Sequence, residues 1–190
     1  MINKLITRVL RKRSEVIVNR IKPYIEKSNK IIDIGSGDGG VTYLLKKLGR
    51  DMTPVDVNDF HGPRLVEPTI YDGNKLPFSD NSFDTALLLM VLHHTPDPKQ
   101  VFSEAARVAK EIVLIETSYT NFINKWFVVF IDILGNLQFR AFWSSYKTDE
   151  QWKSFFKNEG FQIADTAKYH DRQFGSPFLH ITYYLKKIHS

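Results

Sequence analysis

Residues 30–40 read KIIDIGSGDGG, and this run constrains the chain more than any other. Ile31 to Ile34 make a short apolar stretch that suits a buried parallel strand. Glycines at 35, 37, 39 and 40 follow at once, and helical spacing then runs from Val41 to Leu48 and stops at Gly49. A strand, a glycine turn and a helix in that order open an α/β unit. In open sheets of this kind ligands bind beyond the carboxyl ends of the strands, which is where the turn lies.

The rest of the chain continues the alternation. Residues 52–57 read as a second strand, Val66 to Tyr71 as a third, and Thr85 to Leu92 as a central strand apolar on both faces. A helix is expected from Asp97 to Ala109 and a strand from Ile112 to Ile115. Thr148, Asp149 and Glu150 mark a capped helix that runs to Asn158 and closes at Gly160. Phe161 to Ala164 and Phe178 to Leu185 are the last strands, with a polar loop between them. The pattern argues for a doubly wound α/β sheet with helices on both faces. At 190 residues it is read as a single domain, 1–190.

Composition removes several chemistries. No cysteine is present, which excludes disulfides, thiolate chemistry and Cys-based zinc. The six histidines lack H-E-x-x-H spacing, so no metal site is expected. Of 26 basic and 21 acidic residues, nine and two fall in residues 1–30, leaving 17 and 19 in the body. The positive excess therefore belongs to residues 1–30, and in the segment 1–29 Ile2, Leu5, Ile6, Val9 and Leu10 recur at helical spacing. A docked amphipathic helix explains that segment. Peripheral membrane contact through residues 1–25 is a second reading and nucleic acid a weaker third. No secretory signal or bilayer-spanning stretch is seen, and the localisation read is cytoplasmic, with a membrane-peripheral option.

Spacing alone leaves the ligand of the turn open. Gly35, Gly37 and Gly40 fit G-x-G-x-x-G, a dinucleotide turn; Gly35, Gly37 and Gly39 fit G-x-G-x-G, a turn for S-adenosylmethionine. Asp56 follows about 20 residues on, where either cofactor wants an acid on its ribose. Asp33 separates the two. A pyrophosphate about 5 Å from that carboxylate, at an effective dielectric near 20, would be repelled by roughly 3 kcal/mol. An ammonium and a sulfonium would be attracted, and Asp38 adds a second negative charge. The charge favours a cation.

D-I-G-S-G-D-G-G, V-D-V, Y-D-G-N-K-L-P-F-S-D-N-S-F-D and V-L-H-H-T-P-D-P, in this order over about residues 28–117, resemble the class I S-adenosylmethionine-dependent methyltransferases. Within that family the chain is similar to the small-molecule and lipid-quinone branch. The stretch from Tyr146 and from Trp152 to Phe161 shares the likeness. The resemblance implies a Rossmann-like, mostly parallel seven-stranded sheet with an antiparallel final strand. It implies that Asp33, Gly35, Ser36 and Gly37 hold the methionine end of S-adenosyl-L-methionine, and later of its product S-adenosyl-L-homocysteine. Asp56, with Val57 beside it, would accept from the ribose hydroxyls. Asp72 would accept from the adenine amino group between Tyr71 and Gly73, with an Asx-turn as the structural alternative. Leu89 and Met90 would offer carbonyls to the ammonium.

Three departures stand out. About eight residues, among them His61, Gly62 and Pro63, separate the second and third strands where the family usually has a helix. Leu87, Leu88 and Leu89 replace small polar residues. No D/N-P-P-Y/F motif follows the central strand, which counts against amide or nucleobase amino acceptors.

Residues 30–117 are thus read as the cofactor-binding half and 148–190 as the closing helix and strands. The segment 118–147, with nine aromatics from Tyr119 to Tyr146, is read as an insert over the acceptor site. A small-molecule or lipid-like acceptor is expected, methylated on oxygen or carbon. His93 and His94 are the candidate bases, with His170 a further one; a capping role is the alternative for the pair. A binding protein that kept the fold without turnover, or a nicotinamide-dependent oxidoreductase, would be the competing functions. Oligomeric state is not legible.

Overall fold

The computed structural model describes residues 2–57, 64–119, 125–126, 129, 143–173 and 176–188. Helix α1 covers Ile2–Ile21, strand β1 Lys30–Ile34, helix α2 Gly40–Lys47, strand β2 Asp51–Asp56 and strand β3 Thr69–Ile70. Strand β4 follows at Phe83–Leu89, helix α3 at Pro98–Val108 and strand β5 at Ala109–Ser118. Helix α4 is Asp149–Asn158, and strands β6 (Phe161–Gln173) and β7 (Ser176–Lys187) close the chain. The strands form one seven-stranded sheet in the order β3-β2-β1-β4-β5-β7-β6. β1 is parallel to β2 and β4, β2 is parallel to β3, and β6 and β7 are antiparallel. This is the α/β class expected from the alternation and the Rossmann-like, mostly parallel seven-stranded sheet that the resemblance implies, with helices flanking it.

Several element bounds differ from those expected. The third strand shrinks from Val66–Tyr71 to two residues, pairing only with Val55 and Asp56. Pro54 is tolerated in β2 because β3 does not reach it. The central strand stops at Leu89, and Leu92–His94 coil into a 3-10 turn. The polar loop expected after Ala164 is instead strand. β6 runs on to Gln173, paired with β7 through Gln173 and Ser176. As the outermost strand it carries mostly exposed or half-buried side chains after Phe161, so no apolar alternation marks it.

By packing, the chain falls into two compact units, Met1–Leu89 with Glu104–Val113, and Met90–Ser103 with Leu114–Ser190. In the first, α1 buries Ser14, Ile17, Val18 and Ile21 while Arg11, Lys12 and Arg13 stay exposed, as an amphipathic helix docked on the body should. Ile31, Ile32, Val55, Leu87 and Leu88 are fully buried, so of the three successive leucines Leu87 and Leu88 belong to the core. The second unit is packed around aromatics. Trp152 stacks on Phe156 with centroids 5.8 Å apart, and Phe102 and Tyr183 flank Phe156 at 5.6 and 5.1 Å. Such pairs add about 0.5–1.5 kcal/mol each beyond burial. α4 starts with a full capping box, in which Thr148 Oγ1 accepts from the Gln151 amide and Gln151 Oε1 from the Thr148 amide.

Candidate active site

The glycine turn is held by its own backbone. The Gly35 and Ser36 amides both donate to the Val55 carbonyl, at 2.9 and 3.2 Å, which ties the turn to the end of β2. The Gly37 amide donates to Asp56 Oδ2 at 2.8 Å, Gly39 to the Ser36 carbonyl at 2.9 Å, and Gly40 to Asp38 Oδ1 at 2.9 Å. Five N–H groups that a phosphate would need are thus engaged within the protein. Gly37 has φ +54° and open space where a Cβ would project. Gly39 differs: at φ +72°, a Cβ would lie 2.7 Å from the Val66 carbonyl oxygen.

Three carboxylates surround the turn. Asp33, 2% exposed at the end of β1, accepts from Thr42 Oγ1 at 2.7 Å. Burial, and to a lesser degree the charges of Asp56 and Asp38, push its carboxyl up to about 6, with the Thr42 bond pulling the other way. Asp56 is bonded on both oxygens, by the Gly37 amide and by the Val57 amide at 2.7 Å. Ser36 Oγ is buried and has no hydrogen-bond partner, the kind of orphan that a ligand or ion explains.

Tyr71, Asp72 and Gly73 follow β3. The Tyr71 amide donates to the Asp56 carbonyl at 3.0 Å, and burial, then Asp56, push its hydroxyl up to about 12. Asp72 is exposed and bonds its own turn, accepting from the Asn74 and Lys75 amides at 2.9 and 3.2 Å. Those bonds hold its carboxyl below the ordinary range. Gly73 lies at φ +81°, and a Cβ there would meet the exposed Val57 at 3.4 Å. The loop that follows is fastened by a residue that sequence reasoning missed. Arg107 donates to the Leu76 and Phe78 carbonyls at 3.0 and 2.7 Å while paired with Glu104 and Asp80. An acidic residue one turn before an arginine on α3 was the available signal, but only the fold shows what the pair holds.

Leu89 ends β4 half-buried. Met90 has φ +61°, unusual for a residue with a side chain, and its amide donates to the Ile115 carbonyl at 2.7 Å. His93 is buried in the 3-10 turn, and its Nδ1 is hydrogen-bonded to Glu116 Oε2. Glu116, also fully buried, accepts from the Leu92 amide at 2.9 Å through its other oxygen. Sequence reasoning missed Glu116 as well. His94 is half-buried and its ring lies 4.2 Å from that of His93. His170 is exposed on β6. Most of the insert at 118–147, and the short connection at 58–63, lie outside the described residues. Among the described residues no group of three potential metal ligands occurs, and no helix is long and apolar enough to cross a membrane.

The comparisons with known proteins point one way. The family described as "Methyltransferase domain" matches residues 32–112. A sterol methyltransferase-like protein of Botryococcus braunii is 30% identical over 99 residues, covering 45% of this chain and 25% of its own length. A tRNA U34 carboxymethyltransferase of Nautilia profundicola is 31% identical over 108 residues, 48% of this chain and 35% of its own. A ubiquinone/menaquinone biosynthesis C-methyltransferase of Rickettsia felis is 30% identical over 101 residues, 44% and 41%. The chain therefore spans less than half the length of these relatives. Among solved structures, an S-adenosylmethionine-dependent methyltransferase of Methanosarcina mazei shares the fold with a TM-score of 0.69 at 20% identity, over 90% of this chain and 97% of that one.

Proposed function

By its fold and by the matched segment 32–112 the chain belongs with the class I S-adenosylmethionine-dependent methyltransferases, and on that premise we propose that it transfers the methyl group of S-adenosyl-L-methionine to a small-molecule or lipid-like acceptor. The observation that carries the reading is the glycine turn, whose Gly35, Ser36, Gly37, Gly39 and Gly40 amides are consumed internally while Asp33, Asp38 and Asp56 supply negative charge. A pyrophosphate finds five of the turn's amides already engaged and an unfavourable field there. A cationic methionine end finds the field it needs, and the orphaned Ser36 hydroxyl and the open Gly37 face fit it. The nicotinamide reading is set aside on the same grounds.

Asp33, Gly35, Ser36 and Gly37 would hold the methionine end, Asp56 and Val57 the ribose, and Tyr71, Asp72 and Gly73 the adenine. Leu89 and Met90 would present backbone carbonyls, a use that accounts for the left-handed Met90. The cofactor supplies an electrophilic methyl on a sulfonium. The protein has to align the acceptor and accept any proton it loses. His94 is the base candidate with partial exposure. His93, buried against Glu116, positions it: the carboxylate keeps a proton on Nδ1 of His93 and fixes the ring on which His94 rests. The quinone and sterol relatives favour a lipid-like acceptor over the tRNA acted on by the third.

Calorimetry with S-adenosyl-L-homocysteine tests this. Binding is expected, weakened at least about 100-fold in Asp56→Ala, because the ribose loses a charged acceptor and the turn loses its tie. No heat at millimolar ligand would overturn the reading.

A further inference from the structure

We propose that α1 and α2 share a basic face, set with aliphatic side chains, that docks the protein on an anionic lipid surface. The two helices pack together in the first unit, with Ser14 of α1 so close to Gly40 at the start of α2 that no Cβ would fit there. α1 turns Ser14, Ile17, Val18 and Ile21 inward and leaves Arg11, Lys12, Arg13 and Val16 exposed. α2 turns Val41, Thr42 and Leu45 inward and leaves Lys46 and Lys47 exposed. The two sets of charges meet at Tyr43. Lys47 Nζ lies 4.8 Å from the centre of its ring, and Arg11 of α1 is near enough for its charge to act on the hydroxyl. Glu15, bonded to Arg11, is the one acid in the sequence of α1, and that of α2 has none.

Charge alone suits any polyanion, and the aliphatic residues decide among them. Val16 is 48% exposed, and Leu48, just past the end of α2, is 59% exposed. On a helix of 3.6 residues per turn Val16 falls in one row with Lys12, and the same spacing runs back through Val9 and Leu5 to Ile2. That row is distinct from the buried one that holds Ser14, Ile17, Val18 and Ile21. A second apolar row among lysines and arginines is what a helix lying in a bilayer surface uses. Its cations meet anionic headgroups while its aliphatic groups enter the acyl boundary. A nucleic acid would take the cations and leave the aliphatic groups in water. Its bases stack on aromatic faces, and between residues 11 and 50 the aromatics are Tyr24 and Tyr43, both half-buried.

The test is co-sedimentation of the full chain with phosphatidylcholine vesicles, with and without phosphatidylglycerol, and with bulk tRNA as competitor. Binding is expected to be at least about ten-fold tighter when phosphatidylglycerol is present, and to weaken as salt is raised. Lys12→Gln and Lys47→Gln should each weaken it about five-fold, the share of one basic residue at an anionic surface. Val16→Ser and Leu48→Ser should each weaken it about three-fold or more, because an aliphatic group no longer leaves water. These positions are all exposed, so unchanged thermal unfolding certifies the fold of each variant. No binding, or equal binding to both kinds of vesicle, would overturn the proposal. So would tRNA that displaces the vesicles while Val16→Ser and Leu48→Ser have no effect, which would make the face a nucleic-acid surface. The vesicle assay contains no S-adenosyl-L-homocysteine, so its outcome is independent of the cofactor reading.

Discussion

The Thr42 hydroxyl donates to Asp33 Oδ2 at 2.7 Å, across the glycine turn from the third residue of α2 to the end of β1. The bond stabilises a carboxylate that is otherwise out of water and faces two more acids. Its energetic consequence can be measured. The folded-state value of about 6 stands above the ordinary 3.8. A carboxyl raised in this way contributes stability that is fully present below the unfolded value and is lost as pH rises through the folded one. The loss is about 3 kcal/mol for a shift of this size. Asp33→Asn should therefore stabilise the ligand-free protein by up to about 3 kcal/mol at pH 7.5 and by almost nothing at pH 4, read by urea unfolding at both. The same variant should bind the cofactor product far more weakly. Equal stability increments at the two pH values would show that Asp33 is not the strained group.

Gly37 and Gly39 should respond differently to alanine, though both have positive φ. At Gly39 a Cβ meets the Val66 backbone at 2.7 and 2.8 Å, so backbone must move. Together with the left-handed penalty of about 1–2 kcal/mol, Gly39→Ala should destabilise by about 3 kcal/mol or more. At Gly37 nothing lies within 4 Å. Gly37→Ala should cost only about 1 kcal/mol by thermal unfolding and act instead on S-adenosyl-L-homocysteine affinity. A Gly39→Ala protein as stable as wild type would contradict the packing described.

Arg107 should prove to be the fastening of the loop from Lys75 to Asp80. Its guanidinium bonds two carbonyls and two carboxylates, a fork that no lysine reproduces. Arg107→Met should cost about 2–3 kcal/mol, since part of the group is in contact with water. Amide exchange in residues 74–80 should accelerate, and Arg107→Lys should recover less than half of the loss. Unchanged exchange in that loop would refute the assignment.

Glu116 should matter for stability and for the tautomer of His93. The pair is almost fully buried, so removing the carboxylate's charge deprives the His93 ring of its anionic acceptor. Glu116→Gln keeps an acceptor for the Leu92 amide but not the anion, and about 2–4 kcal/mol should be lost in urea unfolding. Nitrogen-detected NMR of the histidine rings should show the Nδ1 proton of His93 in the wild type and a changed tautomer balance in the variant. A His93 already protonated on Nε2 alone in the wild type would refute the arrangement.

Much of the first half was legible. The order strand, glycine turn, helix is local: β-branched residues, glycines and a 3.6-residue stripe each specify their own conformation. The capping box at Thr148 was read as a helix start for the same reason, because its bonds span only three residues. The strand at 165–173 was not legible, because an edge strand that faces water needs no apolar pattern and owes its conformation to hydrogen bonds with β7. The short β3 is the same lesson reversed, an apolar-looking stretch that finds only two partners on β2.

The candidate site divides along the same line. The charge of Asp33 and the spacing to Asp56 are properties of the sequence, and they were enough to favour a cation over a pyrophosphate. The sequence could not show that the Gly37 amide turns inward to Asp56, or that Asp72 spends its carboxylate on its own turn. Nor could it show that Arg107 holds a loop about 30 residues earlier, or that Glu116 lies against His93. Residue types and short-range spacing determined the kind of turn and the sign of its field. The tertiary structure decided which donors and charges remain for a ligand, because burial and long-range hydrogen bonds depend on segments that only the folded sheet brings together.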